Sequence, residues 1–158
     1  AHLAWEDGPL LDALASAAIP KIRQFQPQNL VNLAWSVARL GVLDQPLLDS
    51  LSAAAIALIR QFDAQHISNT SWAFATLGLE DPPLLDALAA QAIRRISDFR
   101  GQDLANTAWA FATLLVSHLP LLAAISSEAI AKSSEARTQN LSNMAWAFAS
   151  RRVVDPPL

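Results

Sequence analysis

The chain has 158 residues, of which 53% are apolar and only 16% charged, with a formal net charge of -3; it is too apolar and too lightly charged to remain disordered, and its length suits one compact domain or one stretch of a longer array. It has no cysteine and three histidines, which excludes disulfides, thiolate metal sites and a cysteine nucleophile and leaves little material for a metal cluster. Scarce glycine, absent tyrosine and a pI near 5.5 favour helices over sheet and argue against a generic polyanion-binding surface.

In chain order, Ala1-His2-Leu3 matches Ala38-Arg39-Leu40, the tail of a helix. A helix of a second kind, here called B-type, is expected over 9-25. It opens at Pro9, and Leu11, Leu14, Ala18, Ile22 and Phe25 carry its apolar stripe. An A-type helix follows over 28-40, with Leu30, Ala34, Val37 and Ala38 at helical spacing. Pro27 suits its first turn, and Gly41 is placed to end it in a left-handed conformation.

The same two-helix unit then recurs. Trp35, Trp72, Trp109 and Trp146 are 37 residues apart, and Pro9, Pro46, Pro83, Pro120 and Pro157 share that period. Gln28, Gln65, Gln102 and Gln139 keep the same register, as do Asn32, Asn69, Asn106 and Asn143. Repeats are therefore expected over 28-62, 65-99 and 102-136, with a last A-type helix over 139-151. Asp63 and Thr138 stand near expected N-caps, and Gly78 repeats the role of Gly41. Asp12, Asp49 and Asp86 are expected in the first turns of B-type helices, where the helix dipole favours an anion.

Short loops make neighbouring helices antiparallel, and a single pair cannot bury its apolar face alone. The expected fold is all-α: an α-solenoid of stacked antiparallel helix pairs across residues 1-158, with A-type and B-type helices in separate layers. Neither end carries a distinct polar cap, so the chain is expected to be part of a longer repeat chain. Leu104 to Ser127 lacks Asp, Glu, Lys and Arg over a length that could span a bilayer. Its Asn106, Thr107, Ser117, His118 and Pro120 fit the repeat better, so no membrane span is expected.

The unit Phe62…Gln65, Ile67, Asn69, Trp72-Ala-Phe-Ala, Leu77-Gly78, then Pro83-Leu84-Leu85, resembles the octotricopeptide repeat, related to repeats found beside RAP domains in organellar proteins. The resemblance covers nearly the whole chain. It implies sequence-specific binding of single-stranded RNA in a chloroplast or mitochondrion, by a soluble or peripheral protein acting in RNA stability, processing or translation. The third unit departs from the motif. Leu115 replaces the closing glycine, Ser126, Ser127, Ser133 and Ser134 enter its B-type helix, and Ala136 replaces the closing Phe.

Candidate contact residues lie on a polar stripe of the A-type helices: Asn29, Asn32, Ser36 and Arg39, then His66, Asn69, Ala73 and Thr76, then Asp103, Asn106, Ala110 and Thr113, then Asn140, Asn143, Ala147 and Ser150. The first position varies (Asn29, His66, Asp103, Asn140) while the second stays Asn (Asn32, Asn69, Asn106, Asn143), the pattern of a modular reader taking one base per repeat. The alternative is that the fixed Asn residues form a buried hydrogen-bonded ladder. The Trp residues sit beside the Ala-Phe-Ala segment and read as core, with base stacking as the other reading.

The A-type helices hold only Arg39 and the terminal Arg151 as cations. Lys21, Arg23, Arg60, Arg94, Arg95, Arg100, Lys132 and Arg137 form a candidate basic edge late in B-type helices and in the loops after them. The acids Asp7, Asp44, Asp81 and Asp155 gather in loops at the opposite edge. Phosphates could track the basic edge, or the distribution could simply complement the helix dipoles.

Recurrent small residues such as Ala34, Ser36 and Ala38 support a second function: a protein-binding scaffold subunit of a large organellar complex, a ribosome or photosystem. No enzyme is expected. His2, His66 and His118 occupy different repeat positions and read as surface residues, no catalytic residue or metal site is assigned, and no cofactor-binding glycine motif occurs.

Overall fold

The computed structural model describes residues 8–133 and 138–152. Among these residues the fold is all-α, with α1 (Gly8–Ala18), α2 (Pro27–Leu40), α3 (Gln45–Leu58), α4 (Ala64–Thr76), α5 (Pro82–Arg94), α6 (Gly101–Thr113), α7 (Leu119–Ala131) and α8 (Thr138–Arg152). The even-numbered helices pack side by side in one row, α2 on α4 on α6 on α8. The odd-numbered helices form a second, more loosely packed row behind them. This is the packing of an α-solenoid. The even row is close-packed because small side chains sit at its contacts. Ala34, Ala38, Ala73, Ala75, Ala108, Ala110, Ala112 and Ala147 are all buried.

The core lies between the rows. Leu30, Leu51, Ile67, Leu84, Leu85, Leu88, Leu104, Leu121 and Ile125 are almost wholly buried, together with Phe62, Phe99 and Phe111. Each such side chain contributes about 1.5–3 kcal/mol of transfer free energy. Phe62 and Phe99 close the odd helices, each after a short 3-10 turn, 59–61 and 96–98. B-type helices therefore stop being α-helical earlier than the single run to Phe25 and its equivalents suggests. At the first of them α1 ends at Ala18 and a 3-10 turn covers 19–24.

Local chemistry sets the ends. Pro27 opens α2, and Asp63 caps α4 by accepting from the His66 N–H at 2.8 Å. The odd helices α3, α5 and α7 begin one residue before their proline, which corrects the expected role of the acids. Asp49 and Asp86 fall beyond the first turn. Asp44 and Asp81, read as loop acids, are the N-caps, accepting from the Leu47 N–H at 2.8 Å and the Leu84 N–H at 3.0 Å. His118 holds the same position in the third unit, where its Nδ1 accepts from the Leu121 N–H at 3.1 Å. It is a cap rather than a free surface histidine.

Helices α2, α4 and α6 each close through a left-handed residue: Gly41 (φ 68), Gly78 (φ 67) and Leu115 (φ 56). In all three the following N–H returns to a carbonyl five residues back, Val42 to Val37, Leu79 to Phe74 and Val116 to Phe111, each at 3.0 Å. The apolar stretch 104–127 is thus divided between α6 and α7 by a turn. Among the described residues no helix is long and apolar enough to cross a membrane.

Polar ties link successive units. Gln91 Nε2 donates to the Phe62 carbonyl at 3.1 Å, and Arg95 Nη1 reaches the same oxygen at 3.4 Å. One unit later Lys132 Nζ donates to the Phe99 carbonyl at 2.8 Å and the Ser97 carbonyl at 2.7 Å. In these two units a cation thus reaches the carbonyls that end the previous 3-10 turn.

Candidate nucleic-acid interface

Side chains at positions 0, 4, 7 and 11 of an α-helix fall within about 60° of one another. On the even row those positions are Gln28, Asn32, Trp35 and Arg39 on α2, then Gln65, Asn69, Trp72 and Thr76, then Gln102, Asn106, Trp109 and Thr113, then Gln139, Asn143, Trp146 and Ser150. Every one is exposed or half-buried. Because the even helices lie side by side, the four columns form a grid on the surface facing away from the odd row.

The core reading is corrected at Trp35 and Trp146, whereas Trp72 and Trp109 pack against the buried core. Trp35 is 46% exposed and Trp146 50%, with Trp72 and Trp109 half-buried. The Trp35 and Trp72 ring centroids are 6.5 Å apart with the planes inclined at 30°. The Arg39 guanidinium lies 5.7 Å from the Trp35 ring centroid, within cation–π range. Trp72 and Phe74 are two residues apart, hence about 200° apart on the helix, and only Phe74 shares a face with the buried Ile67 and Thr70.

The predicted polar stripe is accordingly split. Ala73, Ala110 and Ala147, expected on it, are buried. The variable position is tied up in capping. His66 Nδ1 accepts from the Asp63 N–H at 3.3 Å, and the ring packs on Phe62 with centroids 5.6 Å apart. The Asp103 carboxylate accepts from the Arg100 N–H and from Ser68 Oγ of the preceding unit, both at 3.1 Å. Asn29 is exposed and Asn140 half-buried. The fixed asparagines form no buried ladder. Asn32 is exposed and accepts from Gln28 Nε2 at 2.8 Å within its own helix, and Asn69, Asn106 and Asn143 are half-buried.

Between the first turns of α4 and α6 the grid opens into a groove of about 420 Å³. Gln65, Asn69, Gln102 and Asn106 line it with Arg95 and Arg100, facing Asp63, Asp98 and Asp103. Such a surface offers amide donors and acceptors at mixed charge.

The predicted basic edge divides into structural and free cations. Arg95 pairs with Asp98 at 3.0 Å besides its carbonyl tie, and Arg94 donates to Gln91 Oε1 at 2.9 Å. Lys132 pairs with Glu128 at 2.8 Å. Lys21, Arg23, Arg60 and Arg100 are exposed. Arg137, with His2, Asp7, Asp155, Ser134 and Ala136, lies outside the described residues. Among the described residues no group of three or more His, Asp or Glu side chains could hold a metal ion.

The fold and this surface define a helical-repeat protein with an aromatic and amide face. The chain belongs to the RNA-editing substrate-binding complex 6 protein family, whose sequence model matches residues 40–155, from the end of α2 through α8. No individual curated protein matches it.

Proposed function

We propose that this chain is a non-enzymatic helical-repeat module that binds single-stranded RNA in an organelle, as part of an RNA-editing or related RNA-processing assembly. The observation that carries this reading is the grid of exposed and half-buried Gln, Asn and Trp on the even row. Aromatic faces stack on bases of any sequence, and amides can meet base edges. The family's description names an RNA-editing substrate-binding complex, and the octotricopeptide-like motif supports the same class of ligand. With a net charge of -3 and part of the basic edge committed to backbone carbonyls, binding would lean on stacking more than on phosphate neutralisation. If about four cations meet phosphates, log K against log salt should fall with a slope no steeper than about -3.

Ultraviolet crosslinking of the protein in its native organelle tests this. A discrete RNA footprint is expected. No RNA above background, with a stoichiometric protein assembly surviving nuclease, would overturn it. That outcome would favour the scaffold reading, for which the exposed Leu40, Leu43, Leu115 and Leu119 at the turns between even and odd helices are the supporting observation.

A further inference from the structure

We infer that, in an RNA-binding role of this face, base preference is set by the residue four positions after each face tryptophan, Arg39, Thr76, Thr113 and Ser150. The inference rests on the RNA reading above and adds to it where selectivity resides. The Gln, Asn and Trp columns are identical from unit to unit, so they cannot distinguish one nucleotide position from the next. Three columns of the stripe vary. That of Ser36, Ala73, Ala110 and Ala147 is buried at its three alanines. The column of Asn29, His66, Asp103 and Asn140 has its two central members holding the N-terminal turns of α4 and α6, so a base that recruited those two would have to break those turns.

The column of Arg39, Thr76, Thr113 and Ser150 holds no helix end. Arg39, Thr76 and Thr113 are exposed, and Ser150 is half-buried with its hydroxyl donating to the Trp146 carbonyl at 2.8 Å. Arg39 shows that this position reaches the ring beside it, since its guanidinium lies 5.7 Å from the Trp35 centroid. A base that took the guanidinium's place on that indole face would leave the displaced arginine beside its edge. Arginine offers a donor fork that fits the O6 and N7 acceptors of guanine. A threonine or serine hydroxyl both donates and accepts, and favours no base strongly. The structure thus assigns a guanine preference to the α2 position and permissive reading at α4, α6 and α8.

The test is selection from a randomised RNA pool on the full chain, wild type against Arg39→Thr and Thr76→Arg, with helicity checked by circular dichroism. Wild type should enrich guanine at one position. Arg39→Thr should lower that preference about tenfold without loss of helicity. Thr76→Arg should create a second guanine preference at a neighbouring nucleotide. If both variants shift affinity equally for all sequences, position 39 only neutralises phosphate and the inference fails while RNA binding stands. If no pool binds even at low salt, the RNA reading itself fails and this inference with it.

Discussion

Leu115 holds a left-handed conformation (φ 56) where the two preceding units use Gly41 and Gly78. A side chain there costs about 1–2 kcal/mol of backbone strain. Leu115 is 65% exposed, so its own packing offsets little of that cost. Leu115→Gly should relieve the strain, reduced by the roughly 0.4–1 kcal/mol that glycine adds to unfolded-chain freedom. Leu115→Ala keeps the strain and removes the side chain, so it serves as the control. Glycine should exceed alanine by about 0.5–1 kcal/mol, or roughly 1–4 °C in Tm for a chain of this size. Thermal melts followed by circular dichroism, with urea titration alongside, measure the difference. A glycine variant no more stable than the alanine variant would refute the strain argument. Loss of stability in both would mean that the exposed leucine side chain makes contacts that matter.

Three further outcomes follow from the geometry. Ser71 is wholly buried in α4 with no partner for its hydroxyl among the described residues; Ser71→Ala should raise stability by about 1 kcal/mol in urea unfolding, and a loss would mean the hydroxyl is paired in solution. His118→Asp restores the N-cap residue seen at Asp44 and Asp81 and should stabilise α7 by roughly 0.5–1 kcal/mol, read as slower hydrogen exchange at its first turn; faster exchange would show that the ring's edge contact with Phe111 outweighs the cap. Lys132→Met removes the donor to the Ser97 and Phe99 carbonyls and should cost about 1–3 kcal/mol, with exchange rising at the 96–98 turn rather than in α2.

Much of the architecture was legible because it is local. Pro27, Asp63 and Gly41 mark helix ends by their own backbone chemistry, and each acts within one turn of its position. The period carried by tryptophan, proline, glutamine and asparagine separated two kinds of helix before any contact was known. What could not be read that way was which face of the even helices looks outward. Trp72 and Phe74 are both large and apolar, so hydrophobicity alone assigns both to the core. Only the stacking of even helices on both flanks, with the odd row behind, leaves one sector uncovered, and that sector carries the tryptophan. The ties of Ser68 to Asp103, Gln91 to the Phe62 carbonyl and Lys132 to the Phe99 carbonyl join residues about 30 or more positions apart, and they turned predicted readers and phosphate contacts into structural groups. Sequence by itself determined the helices and the ends marked by Pro27, Asp63 and Gly41, because those depend on neighbours within a few residues. Tertiary structure decided which side chains remain available to a ligand, because exposure depends on what packs across each helix and not on the helix's own composition.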